Sequence, residues 1–141
     1  MTPRQKALVQ TTFAQVAPIA ETAATLFYTR LFELDPALRP LFQGDMTEQG
    51  RKLMQTLAVA VAGLEDLEML VPAVRALGKR HVAYGVRDAH YETVAVALLW
   101  TLEAGLGDAF TPDVHDAWAT VYWILADTMK DGAAEPLARS A

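Results

Sequence analysis

The most constraining stretch of the chain is residues 67–86, LEMLVPAVRALGKRHVAYGV, where a helical apolar stripe ends on a metal-capable side chain. Leu70, Val74 and Leu77 recur at the spacing of one helix face, and the next position on that face is His81. A histidine therefore occupies a position where the pattern predicts a core residue.

A second helical stripe, upstream, departs from the apolar pattern in a similar way. The polar Gln49 stands one turn before a run of apolar residues on the same face: Leu53, Leu57, Ala60, Val61 and Leu64. A turn at residues 63–66 joins the two stripes, so we expect the two helices to pack as an antiparallel hairpin. Gln49 and His81 would then face each other across an apolar gap, which predicts a pocket for a flat apolar ligand that the histidine binds at its centre.

Composition limits the classes of protein to which the chain can belong. Its 141 residues are close to the commonest size of a single domain, and its 52% hydrophobic residues are enough to build a core. A net charge of −5, with no cluster of lysine and arginine, argues against nucleic acid as a partner. The lack of cysteine excludes disulfides, thiolate nucleophiles, iron–sulfur clusters and cysteine-based zinc sites.

The first residues, MTPRQKALVQ, lack the apolar core of a signal peptide, and the apolar runs are too short to span a membrane. The expected compartment is therefore the cytoplasm.

Helix-start signals recur along the chain. Three pairs combine a capping residue with proline: Thr2-Pro3, Asp35-Pro36 and Thr111-Pro112. Asp45 and Asp88 predict two further starts, and Gly85 and Gly132 predict helix ends. Strand periodicity and internal repeats are both missing from the sequence. We therefore expect an all-α fold of six or seven helices in one domain, residues 1–132, followed by a frayed tail at 133–141.

The residues around the predicted gap suit a haem, which needs one strong axial donor and a flat apolar slot. His81 can be the donor, Phe42 can stack against the macrocycle edge, and Leu53 with Leu57 can form the distal wall. The alternative for a lone histidine on an apolar face is a packed residue or one that reaches the surface, and spacing alone favours that alternative.

Two polar side chains are candidates for hydrogen bonds to bound dioxygen. Tyr28 is the one member of its apolar helix face that carries a hydroxyl, and Gln49 lies at the edge of the gap. In a dry pocket such bonds contribute on the order of 1–3 kcal/mol each. The structural alternatives are a core tyrosine and a solvated glutamine in the first helical turn.

Other titratable residues near the predicted gap have more ordinary alternatives. Tyr91 can orient the imidazole of His81 through its second nitrogen, or it can be a half-buried tyrosine without such a role. Lys79 and Arg80 can reach haem propionates, although solvated positive charges are the default. The two other histidines, His90 and His115, fall next to helix starts and are expected at the surface. No catalytic triad, paired-carboxylate motif, phosphate loop or HExxH motif is present.

The chain resembles the globin family, in particular the bacterial single-domain haemoglobins and the globin domain of flavohaemoglobins. The resemblance runs from about residue 3 to residue 129. Its most specific pieces are LFYTRLFELDPALRPLF, RKLMQTLAVAVAGLEDL, LVPAVRALGKRHVAYGV, HYETVAVALLWTL and DAWATVYWILA.

The residues that match the family's site are His81 as the proximal haem ligand, Phe42 at the helix C–D corner, Tyr28 as the distal tyrosine, Gln49 and Leu53 on helix E, and Tyr91 near the proximal histidine. The resemblance implies haem b, that is iron protoporphyrin IX, with further contacts from Leu57, Leu77, Arg80 and Val86.

The resemblance implies reversible binding of dioxygen and of other diatomic ligands such as nitric oxide and carbon monoxide. One alternative is an enzyme, a nitric oxide dioxygenase that borrows electrons from a separate reductase, because the chain ends before a flavin and nicotinamide region. A second alternative is a haem-based gas sensor, although no output domain is present. A third is a haem-free helical bundle.

The sequence departs from flavohaemoglobins on the proximal side. In those proteins a glutamate late in the last helix joins the proximal histidine and tyrosine in a hydrogen-bonded set. The matching position here is Ala133, and Asp131 or Glu135 is the candidate substitute.

Overall fold

The computed structural model describes residues 1–42, 44–83 and 85–134. Within these ranges the chain forms six α-helices and no strand. The helices are α1 (Pro3–Val16), α2 (Ala20–Leu34), α3 (Met46–Ala62), α4 (Leu67–Ala83), α5 (Asp88–Leu106) and α6 (Pro112–Ala133). Short 3₁₀ turns connect them at Ala17–Ile19, Pro36–Leu41, Gly63–Asp66 and Gly107–Ala109. The predicted all-α class is confirmed.

Most of the predicted helix starts are present. The side chain of Thr2 accepts a hydrogen bond from the Gln5 amide at 3.1 Å, and the side chain of Asp45 accepts one from the Thr47 amide at 2.8 Å. These bonds satisfy amides that have no partner within the helix. The prediction that Asp88 caps α5 is wrong. Arg87 is the N-cap, and its amide donates to Nδ1 of His90 at 3.0 Å, so Asp88 is the first helical residue.

The end of α4 follows the prediction at Gly85. Gly85 has a φ of 94°, a conformation that glycine adopts without the steric cost of a Cβ. The amide of Val86 then donates to the carbonyl of His81 at 2.9 Å. This bond ties the residue after the turn directly to the last turn of the helix that carries His81.

The main core lies between α1, α2, α5 and α6, which pack through buried apolar residues such as Val9, Leu31 and Trp118. A polar contact inside this core is satisfied, because the indole N–H of Trp118 donates to the Thr12 hydroxyl at 2.8 Å. That hydroxyl in turn donates to the Leu8 carbonyl at 2.6 Å. Helices α3 and α4 pack against the outside of this four-helix core.

The expected direct packing of α3 on α4 is not what the structure shows. Each of the two helices packs mainly against a different neighbour, α3 against α2 and α4 against α6. Glycines permit both approaches. A Cβ on Gly50 would lie 2.9 Å from that of Ala24 in α2, and a Cβ on Gly78 would lie 2.6 Å from the carbonyl carbon of Met129 in α6. These close contacts hold α3 and α4 against their own neighbours instead of each other.

The last helix runs through Gly132, which was expected to end it, and finishes at Ala133. The expected frayed tail begins at that residue, but residues 135–141, including Glu135, lie outside the described residues. None of the helices in the described part of the chain is both long enough and apolar enough to cross a membrane.

Candidate functional site

The imidazole of His81 is oriented by its own helix. Its Nδ1 lies 2.8 Å from the carbonyl oxygen of Leu77, one turn earlier. Because a carbonyl oxygen can only accept, this contact places the imidazole hydrogen on Nδ1. Nε2 then carries the lone pair that a metal ion requires.

Burial favours the neutral form of His81. It lowers the pKa of the imidazole, because desolvation disfavours the charged form; the Leu77 bond opposes this change and the charge of Arg80 adds to it. The side chain of His81 is half-buried, so part of it remains accessible. A neutral, oriented and partly accessible imidazole is the form in which histidine binds metal.

Tyr28 on α2 lies in a cluster of aromatic rings. Its ring meets those of Phe27 and Phe42 edge-on, with centroids 5.1 and 5.3 Å apart, and it stacks on Phe32 at 6.0 Å. Such arrangements fix the position of the ring. Burial raises the pKa of Tyr28 to about 12, so the hydroxyl remains protonated near neutral pH and can donate a hydrogen bond.

The Tyr28 hydroxyl reaches the start of α3. It donates to the main-chain carbonyl of Gln49 at 3.4 Å, which is a long bond. The two residues that the sequence assigned to the distal side are therefore neighbours, although the bond involves the backbone of Gln49. The Gln49 side chain is half-buried in the first turn of α3.

Apolar residues extend from this corner into the core. Leu53 and Leu57 are half-buried and line, together with Phe27, a small cavity of about 20 Å³. Two residues of its lining carry hydrogen-bonding groups: the Thr101 hydroxyl donates to the Ala97 carbonyl at 2.8 Å, and the Trp118 indole donates to the Thr12 hydroxyl at 2.8 Å. These polar groups are therefore hydrogen-bonded, and the other residues that line the cavity beside Leu53 and Leu57 are apolar.

The remaining predicted haem contacts are placed at different depths. Phe42 and Val86 are half-buried, and so is Leu77, whose carbonyl orients His81. Phe42 is fixed by its edge-on contact with Phe32 at 5.5 Å. Arg80 is exposed, as a residue that binds a solvent-facing carboxylate would be.

Tyr91 is buried, with 7% of its surface exposed, and two residues of α6 contact it. The hydroxyl of Tyr122 donates to the main-chain carbonyl of Tyr91 at 2.6 Å. The ammonium of Lys130 lies over the Tyr91 ring, 5.3 Å from its centroid. Burial raises the pKa of the Tyr91 hydroxyl, and the carboxylate of Asp88 adds to that effect.

Several residues that position the site were not identified from the sequence. Gly50 sits beside Gln49 at the contact of α3 with α2, and Gly78 lies one turn before His81 at the contact of α4 with α6. A glycine inside a helical pattern was the available signal, since it weakens a helix unless close packing requires it. Tyr122 and Lys130 carried no such signal.

The described residues include no group of three or more His, Asp or Glu side chains that could bind a metal ion together. His81 on α4 therefore belongs to no such group among the described residues. A single donor suits a metal that brings most of its ligands with it, as the iron of a macrocycle does.

A family model described as Globin matches residues 25–129, a range that includes His81, Tyr28, Gln49, Phe42 and Tyr91. The chain belongs to the globin family. The resemblance inferred from the sequence is confirmed.

Among curated proteins, the chain is 36% identical to the flavohemoproteins of Bordetella parapertussis and Bordetella bronchiseptica over 133 residues, 92% of its own length. It spans only 33% of the length of those relatives. It is also 32% identical to neuroglobin of Danio rerio over 149 residues, covering 96% of this chain and 94% of that protein.

Among solved structures, a hexacoordinated heme protein from an anhydrobiotic tardigrade superposes with a TM-score of 0.87. The match covers 96% of both chains at 17% sequence identity. At this identity the similarity establishes the fold, which is the all-α globin fold.

Proposed function

We propose that this globin binds one b-type haem between α3 and α4, with His81 as the proximal iron ligand. The observation that carries the proposal is the 2.8 Å contact between Nδ1 of His81 and the Leu77 carbonyl, because it leaves the coordinating lone pair on Nε2. Family membership and the heme-protein structural neighbour support the same conclusion.

The residues present fit such a group. Since α3 and α4 pack on different helices, their apolar side chains Leu53, Leu57 and Leu77 stay half-buried instead of closing on each other. Phe42 and Val86 add half-buried apolar surface at the chain segments that flank the two helices. A flat apolar macrocycle would complete the burial of these residues.

On the distal side, we propose that Tyr28 and Gln49 set the lifetime of a diatomic ligand. When bound, the haem would supply ferrous iron as the site for dioxygen, nitric oxide or carbon monoxide. The Tyr28 hydroxyl is a protonated donor that a ring cluster holds in place, and its present acceptor is a weak partner at 3.4 Å. It can therefore donate to a ligand without losing a strong bond. Reversible binding of dioxygen is the function that this arrangement supports best.

The oxygen dissociation rate tests this function. Tyr28→Phe removes the donor and should speed dissociation by roughly tenfold or more, since a bond to a polar ligand in a dry pocket contributes about 1–3 kcal/mol. Thr25→Val is the matched control, because it removes a hydroxyl from an exposed position of the same helix. Equal rates in the two variants would remove Tyr28 from the distal site.

Similarity to flavohemoproteins favours nitric oxide dioxygenase as a second candidate function. That activity needs electrons for each cycle, so it requires a reductase that returns the iron to the ferrous state. Nitric oxide consumption in excess oxygen, with NADH and a generic flavin reductase, distinguishes the two. Many turnovers per haem, lost in Tyr28→Phe and His81→Ala, would establish the enzyme. A single stoichiometric burst that added electrons do not extend would leave an oxygen-binding globin.

A further inference from the structure

Lys130 on α6 holds its positive charge against two aromatic faces. Its ammonium lies 5.3 Å from the ring centroid of Tyr91 and 5.2 Å from that of Trp123. Ring faces attract a cation within about 6 Å of the centroid, because the aromatic quadrupole places negative charge on the face. Two such faces at nearly equal distances define one position for the ammonium.

The two rings are themselves fixed. The Tyr122 hydroxyl donates to the Tyr91 carbonyl at 2.6 Å, and the Tyr122 ring meets that of Trp123 edge-on at 5.3 Å and 86°. The ion pairs found among the described residues all involve other side chains, so aromatic faces are what position this ammonium. Lys130 is half-buried. Its charge is therefore localised, unlike that of a solvated surface lysine.

This charge lies beside the ligand helix. Met129, the neighbour of Lys130, presents its main chain to Gly78, where a Cβ would lie 2.6 Å from the Met129 carbonyl carbon. Gly132 makes the reciprocal approach, since its Cβ would lie 2.7 Å from the carbonyl carbon of Arg75. The backbones of α6 and α4 thus meet on both sides of Lys130, and His81 follows Gly78 by about one helical turn.

We propose that Lys130 acts as an electrostatic positioning residue that favours ferrous over ferric iron in the haem bound by His81. Oxidation adds one positive charge to the iron, and a fixed cation on the helix that packs closely against the helix of His81 makes that addition less favourable. The Ala133 position, which the sequence matches to a family glutamate, carries no charge. Asp88, whose carboxylate acts on Tyr91, opposes part of the effect from the start of α5.

The proposal rests on the proposed haem ligation by His81, and it bears on function because only ferrous iron binds dioxygen. On this proposal, the chain is nearer to an oxygen binder that stays reduced than to an enzyme that is oxidised in every cycle.

The ferric/ferrous midpoint potential of the haem-loaded protein tests the role of Lys130. Lys130→Met keeps the length of the side chain and removes its charge, and Lys130→Arg keeps the charge over the rings. Lys6→Met is the matched control, because Lys6 pairs with Glu65 on another part of the surface. Spectroelectrochemical titration of the Soret band gives the potential of each protein.

We expect Lys130→Met to raise the ferric-to-ferrous ratio at a fixed potential by about threefold to tenfold, where tenfold corresponds to about 59 mV for one electron. Lys130→Arg and Lys6→Met should stay within twofold of the wild type, roughly the spread of such a titration. A Lys130→Met titration that coincides with that of Lys6→Met would overturn the proposal.

A second measurement compares how the midpoint potentials of the wild type and of Lys130→Met depend on salt. Because the ammonium is half-buried, salt should screen it in part, and the potential of the wild type should fall as ionic strength rises while that of Lys130→Met changes less. Equal salt dependence in the two proteins would also overturn the proposal. Failure of the haem assignment looks different, since the wild type would then gain no Soret band or His81→Ala would keep a normal one.

Discussion

Replacing Gly78 with alanine measures how closely the ligand helix approaches α6. A Cβ at this position would lie 2.6 Å from the carbonyl carbon of Met129 and 2.8 Å from its Cα, and closer still to the carbonyl oxygen. All of these atoms belong to the main chain of a helix, so no side-chain rotation can relieve the clash. The two helices must separate by roughly 1 Å to restore ordinary van der Waals contact.

The expected cost follows from the packing. Overfilling a packed contact typically costs about 1–3 kcal/mol, and a clash with main chain belongs at the upper end of that range. Alanine recovers about 0.5–1 kcal/mol of helix propensity, which leaves a net loss of about 2 kcal/mol. For a domain of this size that loss lowers the Tm by roughly 4–8 °C.

Gly105→Ala is the control, because it makes the same chemical change in another helix without a clash. Its Cβ would lie 3.5 Å from Cδ1 of Ile19, an ordinary contact, so helix propensity should raise the stability by about 0.5–1 kcal/mol. Thermal unfolding followed by far-UV circular dichroism compares the two variants. Shifts of the same sign and size would refute the close approach of α4 to α6 at Gly78.

Further predictions concern the core and the distal tyrosine. Trp118→Phe removes the 2.8 Å bond to Thr12 and leaves unfilled volume, so urea denaturation should show a loss of about 1–3 kcal/mol; a loss below about 0.5 kcal/mol would contradict the buried bond. Tyr28 has a pKa of about 12 in the folded protein and 10.0 as its ordinary value. The folded state therefore keeps a proton that the unfolded state loses, and the free energy of unfolding should fall as pH rises from about 10 to about 12. Tyr28→Phe should make this alkaline decline shallower, and identical pH profiles would count against the burial of the hydroxyl. Gly50→Ala should push α3 away from Ala24, with a loss of about 1–3 kcal/mol in the same denaturation assay, and unchanged stability would argue against that contact.

The position of His81 could be predicted because it interrupts a pattern. The stripe of α4 fixes which face is buried, and a titratable residue on that face needs an explanation from its surroundings. What the sequence could not provide is the 2.8 Å contact with Leu77, since the same spacing permits several side-chain rotamers.

The arrangement of α3 and α4 was predicted incorrectly for a physical reason. A short connection between two amphipathic helices favours a hairpin, and local sequence carries no information about competing neighbours. Gly50 and Gly78 decide the outcome, because each permits close contact with a helix distant along the chain. Long-range partners of this kind cannot be read from periodicity.

The neighbours of Tyr91 show the same limit. Val114, Trp118, Tyr122, Leu125 and Met129 recur at helical spacing and predict the buried face of α6, whereas Lys130 lies beside this stripe and resembles an ordinary solvated charge. Only the fold brings its ammonium over the Tyr91 ring at 5.3 Å. Charged residues at the edge of an apolar face are therefore the part of the site that sequence reasoning identifies least well.

Haemin titration of four proteins tests the central claim most directly. The chain has three histidines, so His81→Ala, His90→Ala and His115→Ala together with the wild type cover every imidazole. His90 accepts from the Arg87 amide and His115 contacts Asp116, so both are engaged elsewhere. We predict that the wild type and the His90 and His115 variants gain a Soret band that saturates at one haem per chain. We predict that His81→Ala gains no such band. A histidine-ligated spectrum that survives in His81→Ala would contradict the assignment of His81 as the haem ligand.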